Sequence, residues 1–372
     1  MDCPPRLRTI DRVFANIAHR RSSAAAICLA FALPTALARP AAADQALIPA
    51  ANSPVINVSI EGGTINIRTW DRPAVQTDST VPLQVQQFDR AAIARSLPRD
   101  INVLAGQIDS PRGPLVLPRE TFDVGSLDAQ PHDGIAITGT GGETTLTVPA
   151  STALLVTRMQ RGFVTLDGYR EGIFFVRLRN GWVHLQNMGG EGFVQVMRGP
   201  IVATDSSFVR LRARSALGNI FFERCHARQI EVSSVAGSIG YDNGSFEPGL
   251  ARFETQYGNI ALGVGSGSAQ IAAHSEGGRI LYNYVRRTSV DARGNDATAA
   301  LGGGGPLVNV SSGGSVLLYD GAINSRGRLG AGWRQASSLL NRVEHRVQMP
   351  PSPRRPAQPV LRRNPRPHPV RL

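Results

Sequence analysis

Between Thr144 and Tyr284 the chain alternates apolar and polar residues in short runs. Val164/Leu166, Val183/Leu185, Ile201/Ala203, Ile220/Phe222, Ile239/Tyr241, Ile260/Leu262 and Ile280/Tyr282 each put two apolar side chains on one face of a strand. A second series lies eight to twelve residues further on, at Phe174/Val176, Val194/Val196, Val209/Leu211, Ile230/Val232, Ala251/Phe253 and Ile271/Ala273. A glycine stands two residues before each pair of the first series, at Gly162, Gly181, Gly199, Gly218, Gly237, Gly258 and Gly278, with spacings of 19, 18, 19, 19, 21 and 20. Recurrence at this period marks stacked units.

Two strands and two turns in about nineteen residues leave no room for a helix. The pattern therefore predicts an all-β fold, a single-stranded parallel right-handed β-solenoid (β-helix) of about 19–20 residues per coil. An antiparallel sandwich is the alternative. The recurring glycines are expected at corners that need positive φ or a close approach without a Cβ.

Outside this array the pattern changes. Residues 1–43 read as an export signal: five arginines precede the apolar run Ala24–Leu33, and Ala41-Ala42-Ala43 offers a cleavage site before Asp44. Residues 44–54 form a linker. Residues 55–143 hold an N-terminal strand region with an irregular insertion, 144–320 the repeats, and 286–306 a flexible excursion within them. Trp333, Ala336, Leu339, Leu340, Val343 and Val347 have helical spacing, which predicts a capping helix over 330–347. Residues 348–372 form a disordered arginine- and proline-rich tail.

Charge sharpens this division. The net charge is +12, every one of the 40 basic residues is arginine, and residues 346–372 hold seven arginines and no acid, so residues 44–345 carry only about +1. Of three cysteines, Cys3 and Cys28 fall in the signal. Cys225 is left alone, so no intramolecular disulfide is expected.

The run Gly63-Thr-Ile-Asn-Ile-Arg-Thr-Trp-Asp-Arg-Pro-Ala-Val, the segment Leu146-Thr-Val-Pro-Ala and the serial Gly-x-Ile/Val units resemble the bacterial putative-adhesin family of domain-of-unknown-function β-solenoid proteins, over most of residues 55–320. The resemblance implies a protein of the bacterial envelope and carries no catalytic residue with it.

Candidate chemistry is sparse. Arg177 and Arg179, and Arg210, Arg212 and Arg214, alternate with apolar neighbours and are expected to point outward as a cationic strip suited to carboxylates or phosphates. A solvated face balanced by nearby acids is the plainer alternative. Arg354, Arg355, Arg362, Arg363 and Arg366 offer a second anionic-polymer site in the tail. Asp167, Glu171 and Glu191 are the carboxylates to weigh for glycoside hydrolysis, which needs two of them across one cleft; Glu171 and Glu191, each just before a glycine, are expected at equivalent positions one repeat apart. His184, His226 and His274 lack metal-ligand spacing. Cys225 beside Arg224 and His226 is either an activated thiol or a small corner residue.

The sequence thus predicts a non-enzymatic, exported protein of the periplasm, outer envelope or extracellular space. It is expected to need no cofactor or metal and to bind an anionic envelope polymer or a surface protein. Nucleic acid is disfavoured for an exported chain. Two alternatives stand beside this one: a carbohydrate-active enzyme acting on acidic polysaccharide, and electrostatic polymer binding through the arginine tail. Oligomeric state is left open.

Overall fold

The computed structural model describes residues 44–88, 100–103, 106–110, 113–117, 120–123, 133–265, 267–283, 288–301 and 304–320. The predicted signal, capping helix and tail lie outside these residues. The strands are, in chain order, β1 Asp44–Pro49, β2 Val55–Trp70, β3 Ala74–Ser79, β4 Gln84–Phe88, β5 Asp100–Val103, β6 Gly106–Ser110, β7 Gly113–Leu117, β8 Glu120–Asp123, β9 Gly134–Gly139, β10 Glu143–Pro149, β11 Leu154–Asp167, β12 Ile173–Gln186 and β13 Glu191–Arg198. They continue with β14 Ile201–Thr204, β15 Ser207–Leu217, β16 Ile220–Glu223, β17 His226–Ala236, β18 Ile239–Phe246, β19 Ala251–Thr255, β20 Ile260–Val264, β21 Ala269–Ser275, β22 Ile280–Asn283, β23 Thr288–Arg293, β24 Asp296–Leu301, β25 Leu307–Ser312 and β26 Val316–Asp320. No helix occurs among the described residues.

Seven parallel strands close a ring. β12 pairs with β13, β13 with β15, β15 with β17, β17 with β18, β18 with β16, β16 with β14, and β14 returns to β12. The same 22-stranded sheet places 15 more strands outside this ring. The expectation of an open right-handed β-solenoid is therefore corrected to an all-β barrel with strands added around it, and the solenoid family resemblance falls with it. The physical reason lies in strands that run past a bend without breaking. Ile173–Asn180 of β12 bonds β13, while Val183–Gln186 of the same strand bonds β14. At the other end, Ile239–Asp242 of β18 bonds β16, and Ser245 and Phe246 bond β17.

Alternation of side chains fills the interior. Leu155, Phe174, Leu211, Ile230, Ala251 and Val308 form one buried inward row, and Val164, Val183, Ile201, Ile220, Ile239, Ile260 and Val316 form another. Gly192 stands opposite Phe174, and the phenyl ring fills the volume that a Cβ would take. Each buried aliphatic contributes on the order of 1.5–3 kcal/mol. One detail of the expected alternation fails: Val209 is exposed, because both it and Arg210 face outward before the pleat resumes at Leu211.

The recurring glycines form a column. A Cβ on Gly162, Gly181, Gly199, Gly218, Gly237 or Gly258 would overlap the carbonyl oxygen of the preceding glycine in that column. Positive φ applies at Gly162, Gly181 and Gly199, whereas at Gly218, Gly237 and Gly258 close backbone approach alone excludes a side chain.

The last unit is inserted out of chain order. β25 lies between β19 and β21, and β26 between β20 and β22. Residues 288–301, expected as an excursion, form the antiparallel hairpin β23–β24, which adds to the free side of β21. At the opposite end β4 closes against β9, and β3 against β10, again antiparallel. Antiparallel additions of this kind cover strand edges that would otherwise be open to pairing.

Candidate functional site

The outward side of β11, β12, β13, β15, β17, β19, β25, β21 and β24 is one continuous surface. Its cross-strand rows follow from register: Arg158, Arg177, Gln195, Arg214, Ser233, Glu254, Ser311, His274 and Asp296 succeed one another on neighbouring strands. The adjacent row carries Val156, Phe175, Phe193, Arg212, Glu231, Arg252 and Asn309.

The predicted arginines differ in their surroundings. Arg212 meets Glu231 at 3.0 Å, while Arg210 meets Glu191 at 3.4 Å and donates to Gln229 at 3.1 Å. These two are therefore balanced locally. Arg177 instead stacks in register on Arg158, a residue not singled out from sequence. Arg158 donates to the Asn57 side-chain oxygen at 3.1 Å, and neither guanidinium has a carboxylate partner among the described residues. Desolvation lowers the pKa of both, and for Arg177 the neighbouring Arg158 lowers it further. Arg179 lies exposed on the same strand. Gln195, between Arg177 and Arg214, is buried, and its side-chain oxygen has no hydrogen-bond partner among the described residues. The tail arginines Arg354, Arg355, Arg362, Arg363 and Arg366 lie outside the described residues.

Beside this row sits a second apolar cluster, separate from the main core: Val55, Leu154, Val156, Ile173, Phe175 and Phe193. The Phe175 and Phe193 rings stack at 5.2 Å with 10° between planes. The outward surface thus changes from aromatic to charged between Phe193 and Arg212.

At its far end the hairpin β23–β24 walls a groove of about 690 Å³. Arg252, Asn309 and Ser311 line one side, Asp291, Arg293 and Asp296 the other, with His274 between them. Asp296 Oδ1 lies 2.7 Å from His274 Nδ1. Arg252 pairs with Glu254 at 2.8 Å and Arg293 with Asp291 at 3.3 Å.

The carboxylates weighed for glycoside hydrolysis have separate surroundings. Asp167 accepts a 2.9 Å hydrogen bond from the Asn187 amide, Glu191 pairs with Arg210, and Glu171 is exposed in the turn before β12. Glu191 stands opposite Ile173, so Glu171 and Glu191 do not occupy equivalent positions. Of the histidines, His184 tilts against Trp182 at 6.0 Å and its pKa is lowered by burial, an effect opposed by Asp167. His226 bonds Ser245. No group of three metal-ligating side chains occurs among the described residues. Cys225 is buried under the corner at Arg224, and burial pushes its thiol up to about 12.

Arg158, Asp296 and Ser311 are members of this surface that the sequence did not single out, for two different reasons. Arg158 precedes Arg177 by 19 residues, the repeat spacing, so register alone could have found it. The association of His274 with Ser311 depends on the out-of-order insertion of β25, and that with Asp296 on the fold-back of β24 against β21, neither of which any spacing announces.

No family model matches the chain, and no curated protein matches it. Among solved structures it is similar to a "putative cell adhesion protein" from Clostridium sporogenes, at 9% identity and a TM-score of 0.23, over 75% of this chain and 99% of that one. A likeness at that level carries no argument about fold or function.

Proposed function

We propose that the chain is an exported binding module for an acidic surface polysaccharide, engaged on the outward face of β11, β12 and β13. The supporting observation is the stacking of Arg158 on Arg177 without a carboxylate partner among the described residues. Two desolvated like charges on adjacent strands repel, and an anionic group between them relieves that repulsion. Guanidinium groups suit carboxylate and sulfate through forked hydrogen bonding. Exposed Arg179, on the same strand and face as Arg177, adds a third guanidinium, and a succession of carboxylate or sulfate groups is what an acidic sugar polymer presents to such a row.

The test is retention of the full chain on dextran sulfate against neutral dextran across a salt gradient. The Arg158→Gln/Arg177→Gln variant is expected to bind about tenfold or more weakly, consistent with losing about 1.4 kcal/mol or more, and to show a shallower salt dependence. Deletion of residues 346–372 separates this face from the tail. Unchanged binding by the double variant, with loss on deletion, assigns the interaction to the tail and refutes the face.

A further inference from the structure

Asp296, His274 and Ser311 stand side by side on β24, β21 and β25, in one cross-strand row on the outward surface. Adjacent strands are about 4.8 Å apart, so each side chain is a near neighbour of the next. All three line the groove walled by the β23–β24 hairpin. The Asp296 carboxylate engages Nδ1 of the imidazole at 2.7 Å, which leaves Nε2 as the free nitrogen. Ala272, two residues before His274 on the same face, contributes only a methyl group to the groove.

We propose that Asp296, His274 and Ser311 form a hydrolytic relay for short-chain carboxylic esters. A hydroxyl nucleophile needs a base beside it and a third group that orients the base, and such relays are recognised by geometry rather than by position in sequence. His274 Nε2 takes the Ser311 hydroxyl proton as Oγ attacks the ester carbonyl carbon. The tetrahedral adduct collapses with cleavage of the carbon–alkoxide bond, and the imidazolium returns that proton to the departing alcohol. Water then attacks the acyl-serine with His274 again as base, and the carboxylic acid leaves with Ser311 restored. Asp296 holds the imidazole with Nδ1 as the donor and stabilises the imidazolium. Asn309, on the same strand as Ser311 and lining the same groove, supplies an amide donor for the oxyanion. Ser311 and His274 are adjacent in register with no hydrogen bond between their side chains, and in an unliganded relay the nucleophile-to-base bond commonly forms only around substrate.

This activity was invisible to motif reading for a physical reason. His274, Asp296 and Ser311 are scattered along the chain and meet only because β25 inserts beside β21 while β24 folds back on its other side. The expectation of a chain without a catalytic set considered paired carboxylates and local motifs, neither of which describes a set assembled by strand order. The relay is independent of the polymer-binding face at Arg158 and Arg177.

The full chain is treated with a fluorophosphonate, and the modified residue is located by mass spectrometry. Hydrolysis of 4-nitrophenyl acetate is followed in parallel. The expected result is phosphonylation of Ser311, a rate reduced to the buffer background in Ser311→Ala, and a fall of about 10²–10⁴-fold in Asp296→Asn. Labelling of the unaltered chain requires no variant to fold, and melting curves establish that the variants are folded. An unmodified Ser311 in the folded chain, or hydrolysis that persists in folded Ser311→Ala, overturns the proposal.

Discussion

The Ser312 hydroxyl donates a 2.8 Å hydrogen bond to the carbonyl oxygen of Gly258, 54 residues earlier in the chain. Equivalent bonds run along the glycine column, from Ser215 to Gly199 at 3.2 Å, Ser234 to Gly218 at 3.2 Å and Thr255 to Gly237 at 2.8 Å. Chain order would give the next place to Ser275. Ser275 instead bonds Gly314 at 2.8 Å, one layer further out. The hydroxyl thus satisfies a backbone carbonyl where the glycine corner brings two layers together. Ser312→Ala leaves the Gly258 carbonyl without that bond and is expected to cost about 1–2 kcal/mol in urea unfolding.

The column also ranks glycine substitutions. At Gly237 a Cβ meets the Gly218 carbonyl, a backbone atom that moves only with its strand, so Gly237→Ala is expected to cost about 2–3 kcal/mol or more. At Gly294, with φ of 60° and nothing within 4 Å, the penalty is conformational and about 1 kcal/mol. Denaturation midpoints of the two variants check the order.

Cys225 is expected to be inert in the folded protein. Its Sγ is buried beneath the corner and contacts the Ala203 and Glu223 carbonyls at 3.5 Å each. Burial raises its pKa to about 12, so almost no thiolate forms near pH 8. A disulfide exchange reagent should titrate no thiol at Cys225 until denaturant is added.

Acid sensitivity should centre in part on Asp205. Hydrogen bonding from Arg224, at 2.6 and 2.8 Å, holds its carboxyl below the ordinary value of 3.8, with a smaller opposing effect of burial. A depressed folded pKa gives stability that is present above the unfolded value and is lost as pH falls through the folded one. Asp205→Asn should therefore show a shallower loss of stability below about pH 4. Asparagine also tolerates the left-handed backbone found at this position, where φ is 51°.

Much of the strand content was legible because alternation reports which side chains share a face, and the glycine spacing reports which residues meet across layers. The inward placement of Val183, Ile220 and Ile260 followed from that pattern. Ring closure did not, because the same alternation is compatible with strands that break at a corner and with strands such as β12 that continue through it. The place of Leu307–Ser312 was hidden for another reason. Its apolar alternation and its Ser-Gly-Gly corner fit equally well beside β19 or beyond β21, and only packing decides between them. Arg210 and Arg212 were legible as outward residues, but their neutralisation by Glu191 and Glu231 depends on register across strands.

The out-of-order insertion of β25 is the claim on which the groove depends, and disulfide trapping tests it directly. Arg252 and Asn309 are register partners on β19 and β25, whereas Ala272 lies on β21, beyond β25. Bridging requires Cα atoms about 4.4–6.8 Å apart. Arg252→Cys/Asn309→Cys is predicted to oxidise to an intramolecular disulfide in the folded chain, while Arg252→Cys/Ala272→Cys stays reduced. Oxidation of the second pair and not the first would place β21 beside β19 and contradict the account.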